Sequence, residues 1–421
     1  MKKLSQVGNG IIGSEIIKIS QQIKEISKDK KVLNLTIGDF DPKINPIPTR
    51  LRDEIVKCYE EELTNYPMSP GELGLRSSVS RYLEKRQGIQ YNESEILIGG
   101  GVRPLIYTVY KSLVDTEDSV VFPVPSWNNN HYTFLHQGNP VAIECLPQNS
   151  FFPTPQQILE VIEEARLICI CSPQNPTGRI IPSETLKQIC DLIVAENARR
   201  KEIHPDSKMC YLFFDQIYSD LSQDGKFIHP ILLCPEIREF LICADGISKS
   251  LCATGIRVGW LFGPADIIGK MSELFSHIGA WAPKPEQNAV ARYLDEYKDL
   301  DKYITRKQEG YKKITEAICQ SFAELKQRGF RVDCQVPEGG IYISIYLDYV
   351  HSFSSVEEYI SFLIMTCGIG IVPFEYFGAK SSKGWWRISI GNIDPNKISE
   401  YVTQIEKAVF KSHQMMNSAV M

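Results

Sequence analysis

Phe240-Leu241-Ile242-Cys243-Ala244 is an unbroken apolar run, and soon after it the chain reads Ser248-Lys249-Ser250-Leu251-Cys252-Ala253-Thr254-Gly255-Ile256-Arg257-Val258-Gly259-Trp260. An apolar run without alternation suits a strand covered on both faces, as in a mainly parallel sheet. A lysine just past such a strand, set among small residues, loses water on most sides. Desolvation disfavours an ammonium, so a neutral amine nucleophile becomes available. Arg257, eight residues on, is a fixed positive fork suited to a phosphate. Amine nucleophile plus phosphate anchor is what a phosphorylated aldehyde needs. Taken alone, the stretch reads equally well as a surface lysine and a structural arginine, so the rest of the chain must decide.

Similar runs recur on both sides of it. The pattern predicts strands near 95–99, 119–122, 141–145, 167–172, 209–215, 240–244 and 258–262. Helical spacing falls between most of them, at 102–113, 155–164, 183–199 and a short piece at 235–238. This is an α/β fold, with a large domain built on a mainly parallel sheet of seven strands flanked by helices. Ligands in such sheets sit beyond the carboxyl ends of the strands. After about residue 290 the pattern changes. A long helix at 301–328 precedes strand-like pieces at 330–335, 341–347, 369–372 and 386–390, with helices at 355–367 and 395–411. That reads as a smaller α+β domain. Ahead of the large domain come an arm and a helix within 1–30, a short strand at 32–37, a helix at 48–62, the turn-rich loop from Tyr66 to Gly71 and a helix at 75–86. The expected division is 1–47 for the arm and part of the small domain, 48–290 for the large domain and 291–421 for the small one.

Composition narrows the function. The chain has 421 residues, 43% hydrophobic and 23% charged, with a net charge of -5. There is no long basic run, so nucleic acid is not an expected partner. No apolar stretch reaches the roughly 18 residues of a membrane span. Met1-Lys2-Lys3 has no apolar signal core behind it. The 12 cysteines are scattered singly and none has Cys-x-x-Cys spacing, so no metal site is indicated. Buried free thiols in a reducing cytoplasm are the plain reading. Gly8-Asn9-Gly10-Ile11-Ile12-Gly13 matches the dinucleotide fingerprint literally, but no strand can precede it, and it is set aside.

The candidate site residues fall at strand ends. Gly99-Gly100-Gly101-Val102 ends a strand and opens a helix, whose free N–H groups can cradle phosphate. Trp127, past another strand, offers a face for a flat ring, though a core tryptophan is the commoner meaning. Asn175, in Ser172-Pro173-Gln174-Asn175-Pro176-Thr177-Gly178, can donate to a phenolic oxygen or simply make a turn. Asp215, behind four apolar residues, needs a cationic partner. A protonated pyridine nitrogen would serve, as would an ordinary salt bridge. Tyr218 could reach the same ring's oxygen. Gly38, in Gly38-Asp39-Phe40-Asp41-Pro42, lets a ligand approach the backbone.

Together, Asn175-Pro176-Thr177-Gly178, Asp215 with Tyr218, Ser248-Lys249 and Gly255, Arg257, Gly259-Trp260 resemble the class I and II aminotransferases, pyridoxal-phosphate enzymes of fold type I, over nearly the whole chain. The resemblance implies that Lys249 is the catalytic lysine that carries pyridoxal 5'-phosphate as a Schiff base. It implies that Ser248, Arg257 and the backbone at Gly101 and Val102 hold the phosphate. Trp127 takes the ring-stacking place, Asp215 the pyridine nitrogen, and Asn175 and Tyr218 the ring hydroxyl. Tyr66 resembles the tyrosine that reaches the partner subunit's phosphate, which implies a homodimer with shared active sites. Arg387, in Trp386-Arg387-Ile388-Ser389, resembles the clamp for the substrate α-carboxylate, helped by the Gly38 backbone. The implied reaction moves the amino group of an L-α-amino acid, aspartate-like in preference, to a 2-oxo acid such as 2-oxoglutarate by ping-pong kinetics. A carbon–sulfur β-lyase on the same scaffold is the alternative. A non-catalytic sensor is a further one, disfavoured because the lysine, aspartate and arginine all persist.

Departures bear on the substrate. Some aspartate-using relatives carry a lysine where this chain has Val102, and Arg103 is adjacent. Asn128-Asn129-Asn130 separate the stacking tryptophan from Tyr132. Gly279 to Lys284 occupies the stretch that relatives of that family offer to the partner's pocket, where Trp281 would favour an apolar or aromatic substrate and Lys284 an acidic one.

Overall fold

The structure, a computed structural model, describes residues 4–419 apart from Ile12, Ser14, Asp29, Pro205 and His351, with side chains to Met415. The charged start at Met1 to Lys3, and Ile12 of the glycine motif, lie outside the described residues. Gly8 and Gly10 sit within a helical turn, Gln6–Gly10, with no strand among the described residues ahead of them.

The seven apolar runs all form strands of one sheet: β1 Ile96–Gly99, β2 Ser119–Val124, β3 Asn139–Glu144, β4 Ala165–Cys171, β5 Tyr211–Asp215, β6 Leu241–Gly246 and β7 Gly259–Phe262. Their order is β1-β7-β6-β5-β4-β2-β3. Every pairing is parallel except those of β7, which runs antiparallel to both β1 and β6. Every residue of β2 and of β6 is buried, as two covered faces require. Helices supply the cover. Val102–Leu113 buries Leu105, Ile106, Val109 and Tyr110, and Ser183–Ile203 buries Leu186, Ile189, Cys190 and Ile193, both at helical spacing. Register sets the site. Cys171 pairs with Asp215, Asp215 with Ala244, and Gly246 with Gly259, so the functional ends of β4 to β7 share one edge.

The later part of the chain forms a four-stranded antiparallel sheet of β8 Val332–Gln335, β9 Tyr342–Leu347, β10 Val372–Pro373 and β11 Trp385–Ser389, in the order β10-β11-β9-β8. The helix Tyr297–Gln327 lies alongside, longer than its pattern suggested. A second apolar cluster unites this sheet with Ile19, Ile23, Leu35 and Phe40 of the N-terminal segment.

Several expectations need correction. The strand expected at 32–37 is only Leu33–Asn34, paired in parallel with Ile369–Gly370. The Asn34 carboxamide oxygen accepts from the Thr36 N–H at 3.0 Å and from its hydroxyl at 2.7 Å, which competes with a continued ladder. The expected strand at 369–372 is two short pieces in different sheets, parted at Ile371. The helix expected at 155–164 stops at Leu159. Helices Asn129–Leu135, Ala265–Ile278 and Lys284–Leu294 carried no expectation.

Candidate active site

Lys249 sits in a single helical turn, Ile247–Ser250, entered from β6 through Gly246. Its Nζ donates to the Gly38 carbonyl at 2.6 Å. Both line a cavity of about 690 Å³ beyond the strand ends, with Val102, Trp127, Asn175, Asp215, Tyr218, Ser248, Arg257 and Arg387. Ten of the residues singled out in the sequence thus meet in one place.

The neighbours of each explain its state. Asp215 ends β5 and accepts from the Ile217 N–H at 3.1 Å. Burial pushes its carboxyl up to about 6, against the smaller opposing pulls of that bond and of Lys249. Tyr218 is buried, with its Oη 3.0 Å from the Tyr342 Oη. Burial and that neighbour raise its phenol well above the ordinary range. Arg387, in β11, is 2% exposed. It donates to Asn175 Oδ1 at 2.9 Å and to the Thr36 carbonyl. Its guanidinium lies 4.5 Å from the Tyr342 ring centre and 4.9 Å from that of Phe377. Its buried Nε has no hydrogen-bond partner among the described residues.

Arg257 has a left-handed backbone, φ +63°. Its Nη1 donates to the Thr254 carbonyl at 2.6 Å and its Nη2 to the Gly100 carbonyl at 3.1 Å. Burial and nearby Arg103 depress its basicity. Gly101 has φ +83°, and a Cβ there would fall 2.1 Å from Arg257 Nη2. The Arg257 guanidinium can therefore lie directly against the turn that opens the Val102 helix because that residue is glycine.

Three residues lie elsewhere. Tyr66 is 82% exposed and does not line the cavity; its ring meets Trp281 edge-on at 5.8 Å. Lys284 donates to Asn65 Oδ1 at 3.0 Å beside them. Other cavity residues carried no sequence expectation. Tyr342 lies inside a strand of otherwise core-like residues. Ile16, Ile17, Ser20, Gln21 and Lys24 come from the helix Glu15–Ile26. Their spacing marks one helical face, a signal present in the sequence but indistinguishable there from a solvated stripe. Tyr132 also reaches the cavity, despite the intervening asparagines.

A family model described as aminotransferase class I and II matches residues 30–405. The chain belongs to that family. The aspartate aminotransferase of Geobacillus stearothermophilus is 27% identical over 386 residues, spanning 90% of this chain and 92% of that protein. That of Bacillus subtilis (strain 168) gives the same figures. The crystal structure of the aspartate aminotransferase from Rhizobium meliloti has a TM-score of 0.85 at 21% identity, covering 97% of this chain and 98% of that one, which shows a shared fold. This aminotransferase is a pyridoxal-phosphate enzyme, as its family is. The cavity fits that cofactor. It offers an amine at Lys249, a carboxyl at Asp215, a cradle at Gly101 beside a guanidinium, and an aromatic face at Trp127. Among the described residues no helix is long and apolar enough to cross a membrane.

Proposed function

We propose that Lys249 is the catalytic base and cofactor anchor of a transamination between an L-α-amino acid, aspartate-like in preference, and a 2-oxo acid such as 2-oxoglutarate. The observation that carries this is the meeting of Lys249, Asp215 and Arg387 in one cavity. When bound, pyridoxal 5'-phosphate supplies an aldehyde for the amine and a ring that takes up the electron pair released at Cα. Asp215 holds a proton at the ring nitrogen, because a half-buried carboxylate gains from a cationic neighbour. Asn175 and Tyr218 would hold the ring oxygen, and Trp127 would offer its face to the ring. Ser248, Arg257 and the N–H groups at Gly101 and Val102 bind the phosphate. Arg387 grips the α-carboxylate, with the Gly38 backbone beside it. Lys249 then moves the proton from Cα.

The same reading makes the protein a cytoplasmic homodimer, with the large domain at 48–290 flanked by 1–47 and 291–421. Exposed Tyr66 would extend to the partner's phosphate. Names of aspartate aminotransferase relatives support the donor preference.

The test is the visible spectrum of the purified holoenzyme. A yellow band that bleaches with L-aspartate and returns with 2-oxoglutarate is expected. A band unmoved by any amino acid would sink the reading, as would failure of Lys249→Ala to abolish covalent cofactor attachment.

A further inference from the structure

We infer that Cys319 and Cys334 are a disulfide-forming pair, a site of oxidation by low-molecular-weight disulfides at the seam between the helix Tyr297–Gln327 and β8. Nine of the 12 cysteines are buried, and the three that are not are Cys171, Cys319 and Cys334. Cys171 donates to the Pro173 carbonyl at 3.3 Å and lines the cavity. The other two meet each other. Their Sγ atoms are 3.0 Å apart, about 1 Å more than the roughly 2.0 Å of a sulfur–sulfur bond.

The fold holds the two sulfurs there from both sides. Cys319 belongs to a helix anchored by buried Thr315, Ile318 and Phe322. Cys334 lies in β8, the outermost strand of the smaller sheet, opposite Ile345 of β9. About two helical turns beyond Cys319, Lys326 pairs with Asp333 at 2.9 Å, so helix and strand are registered at a second point. Both cysteines pack against the second apolar cluster yet keep part of their surface in solvent, where a small reagent can reach them. Neither lines the cavity, so the bond would change the frame and not the reacting groups.

The oxidant is a small disulfide, R–S–S–R. Hydrogen bonding to Cys319, burial and that neighbour's charge hold the Cys334 thiol well above its ordinary range, so the proton stays on Cys334 and Cys319 attacks first. The Cys319 thiolate bonds to one R–S and expels the other as R–S⁻. Cys334 then gives up its proton, attacks Cys319 Sγ and expels the second R–S⁻. The protein loses two protons and two electrons, and the small disulfide leaves as two thiols. The new bond joins residues 15 apart, a loop whose closure restricts the unfolded chain and stabilises the folded one.

The experiment is incubation of the holoenzyme with oxidised glutathione, then alkylation in denaturant and peptide mass mapping. Cleavage at Lys326 and Arg331 places the two cysteines on separate peptides. The expected result is one linkage joining those peptides, two fewer alkylated thiols than the 12 of the reduced chain, and reversal by dithiothreitol. Cys334→Ser should instead accumulate a mixed disulfide at Cys319, since the attacking sulfur stays and the resolving one is gone. The oxidised protein should melt a few degrees above the reduced one, a shift that Cys319→Ser and Cys334→Ser should both lack. An undiminished thiol count, glutathione retained without a linkage, or a linkage through other cysteines would overturn the pair. Absence of the mixed disulfide from Cys334→Ser would overturn Cys319 as the attacking sulfur. A linkage that leaves the melt unmoved would overturn the stabilising role.

Discussion

Arg387 Nη1 donates to Asn175 Oδ1 across 2.9 Å, tying β11 of the smaller sheet to the loop that leaves β4 of the larger one. The bond fixes one edge of the guanidinium, the Thr36 carbonyl holds Nη2, and the Tyr342 ring supports the plane. Nε is left without a partner among the described residues.

Arg387→Gln should therefore keep the cofactor and lose the donor. Two charge-assisted bonds to a carboxylate are together worth several kcal/mol, so kcat/KM for L-aspartate should fall roughly 10²–10³-fold, mostly through KM. Steady-state kinetics beside an absorption spectrum separates the two effects. Loss of the band together with activity would contradict the assignment.

Asp215 supplies a pH signature in the cofactor-free protein. Its carboxyl, at about 6, titrates above the ordinary carboxylate value near 3.9, so the folded state holds the proton more tightly than the unfolded chain. That contribution is complete below about pH 4 and is lost as pH rises through about 6, on the order of 2–3 kcal/mol in all. Denaturant melts at pH 4 and pH 7 should show this slope in the cofactor-free enzyme and not in its Asp215→Asn variant. Bound cofactor should diminish it, since a cationic neighbour favours the carboxylate.

Asp245 is buried behind the site at 2% exposure, accepting from Gln216 Nε2 at 3.0 Å and the Gly246 N–H at 2.7 Å. Burial, with the charges of Asp220 and Asp215, drives its carboxyl well above the usual range in spite of those bonds. Stability from this group is present below the ordinary carboxylate value and declines as pH rises above it. Asp245→Asn removes the decline, and its amide can donate to Gln216 Oε1, which is buried without a partner among the described residues. The variant should melt higher than the parent at pH 8, by about 1–3 kcal/mol of stability, with a smaller difference at pH 5.

Gly101→Ala should weaken cofactor binding more than it weakens the fold. The backbone at φ +83° disfavours any side chain, by about 1–2 kcal/mol, and the new methyl must push Arg257 aside. Spectroscopic titration with pyridoxal 5'-phosphate should show an affinity lowered at least about tenfold. Unchanged affinity would detach Arg257 from the phosphate.

Much of this was legible before any coordinates. Six of the seven strands of the large sheet announce themselves because burial on both faces removes polar alternation from the sequence, whereas the edge strand Asn139–Glu144 is largely exposed. Lys249, Asp215 and Asn175 stand out for the related reason that polar residues immediately after such runs mark strand ends. Tyr342 was illegible. It lies in Ile341-Tyr342-Ile343-Ser344-Ile345, where a tyrosine reads as core, and its role appears only through its contacts with Tyr218, 124 residues away, and with the Arg387 guanidinium. Lys24 was hidden differently, since a lysine on the polar face of an amphipathic helix looks the same whether that face meets water or a cavity. Trp281 and Lys284 belong to a stretch whose expected place is the partner subunit's pocket, and they pack with Tyr66 and Asn65 outside this chain's own cavity.

The helix Glu15–Ile26 is a wall of the cavity built from a part of the chain far from every strand of the large sheet. The strand ends that carry Lys249 and Asp215 and this part of the cavity wall thereby come from separate stretches of the chain. Grafting a relative's helix into this position would retune which amino acids are accepted while leaving the reacting groups in register. By the same logic, tags and trims near the start of the chain belong among the variables that a substrate survey must control.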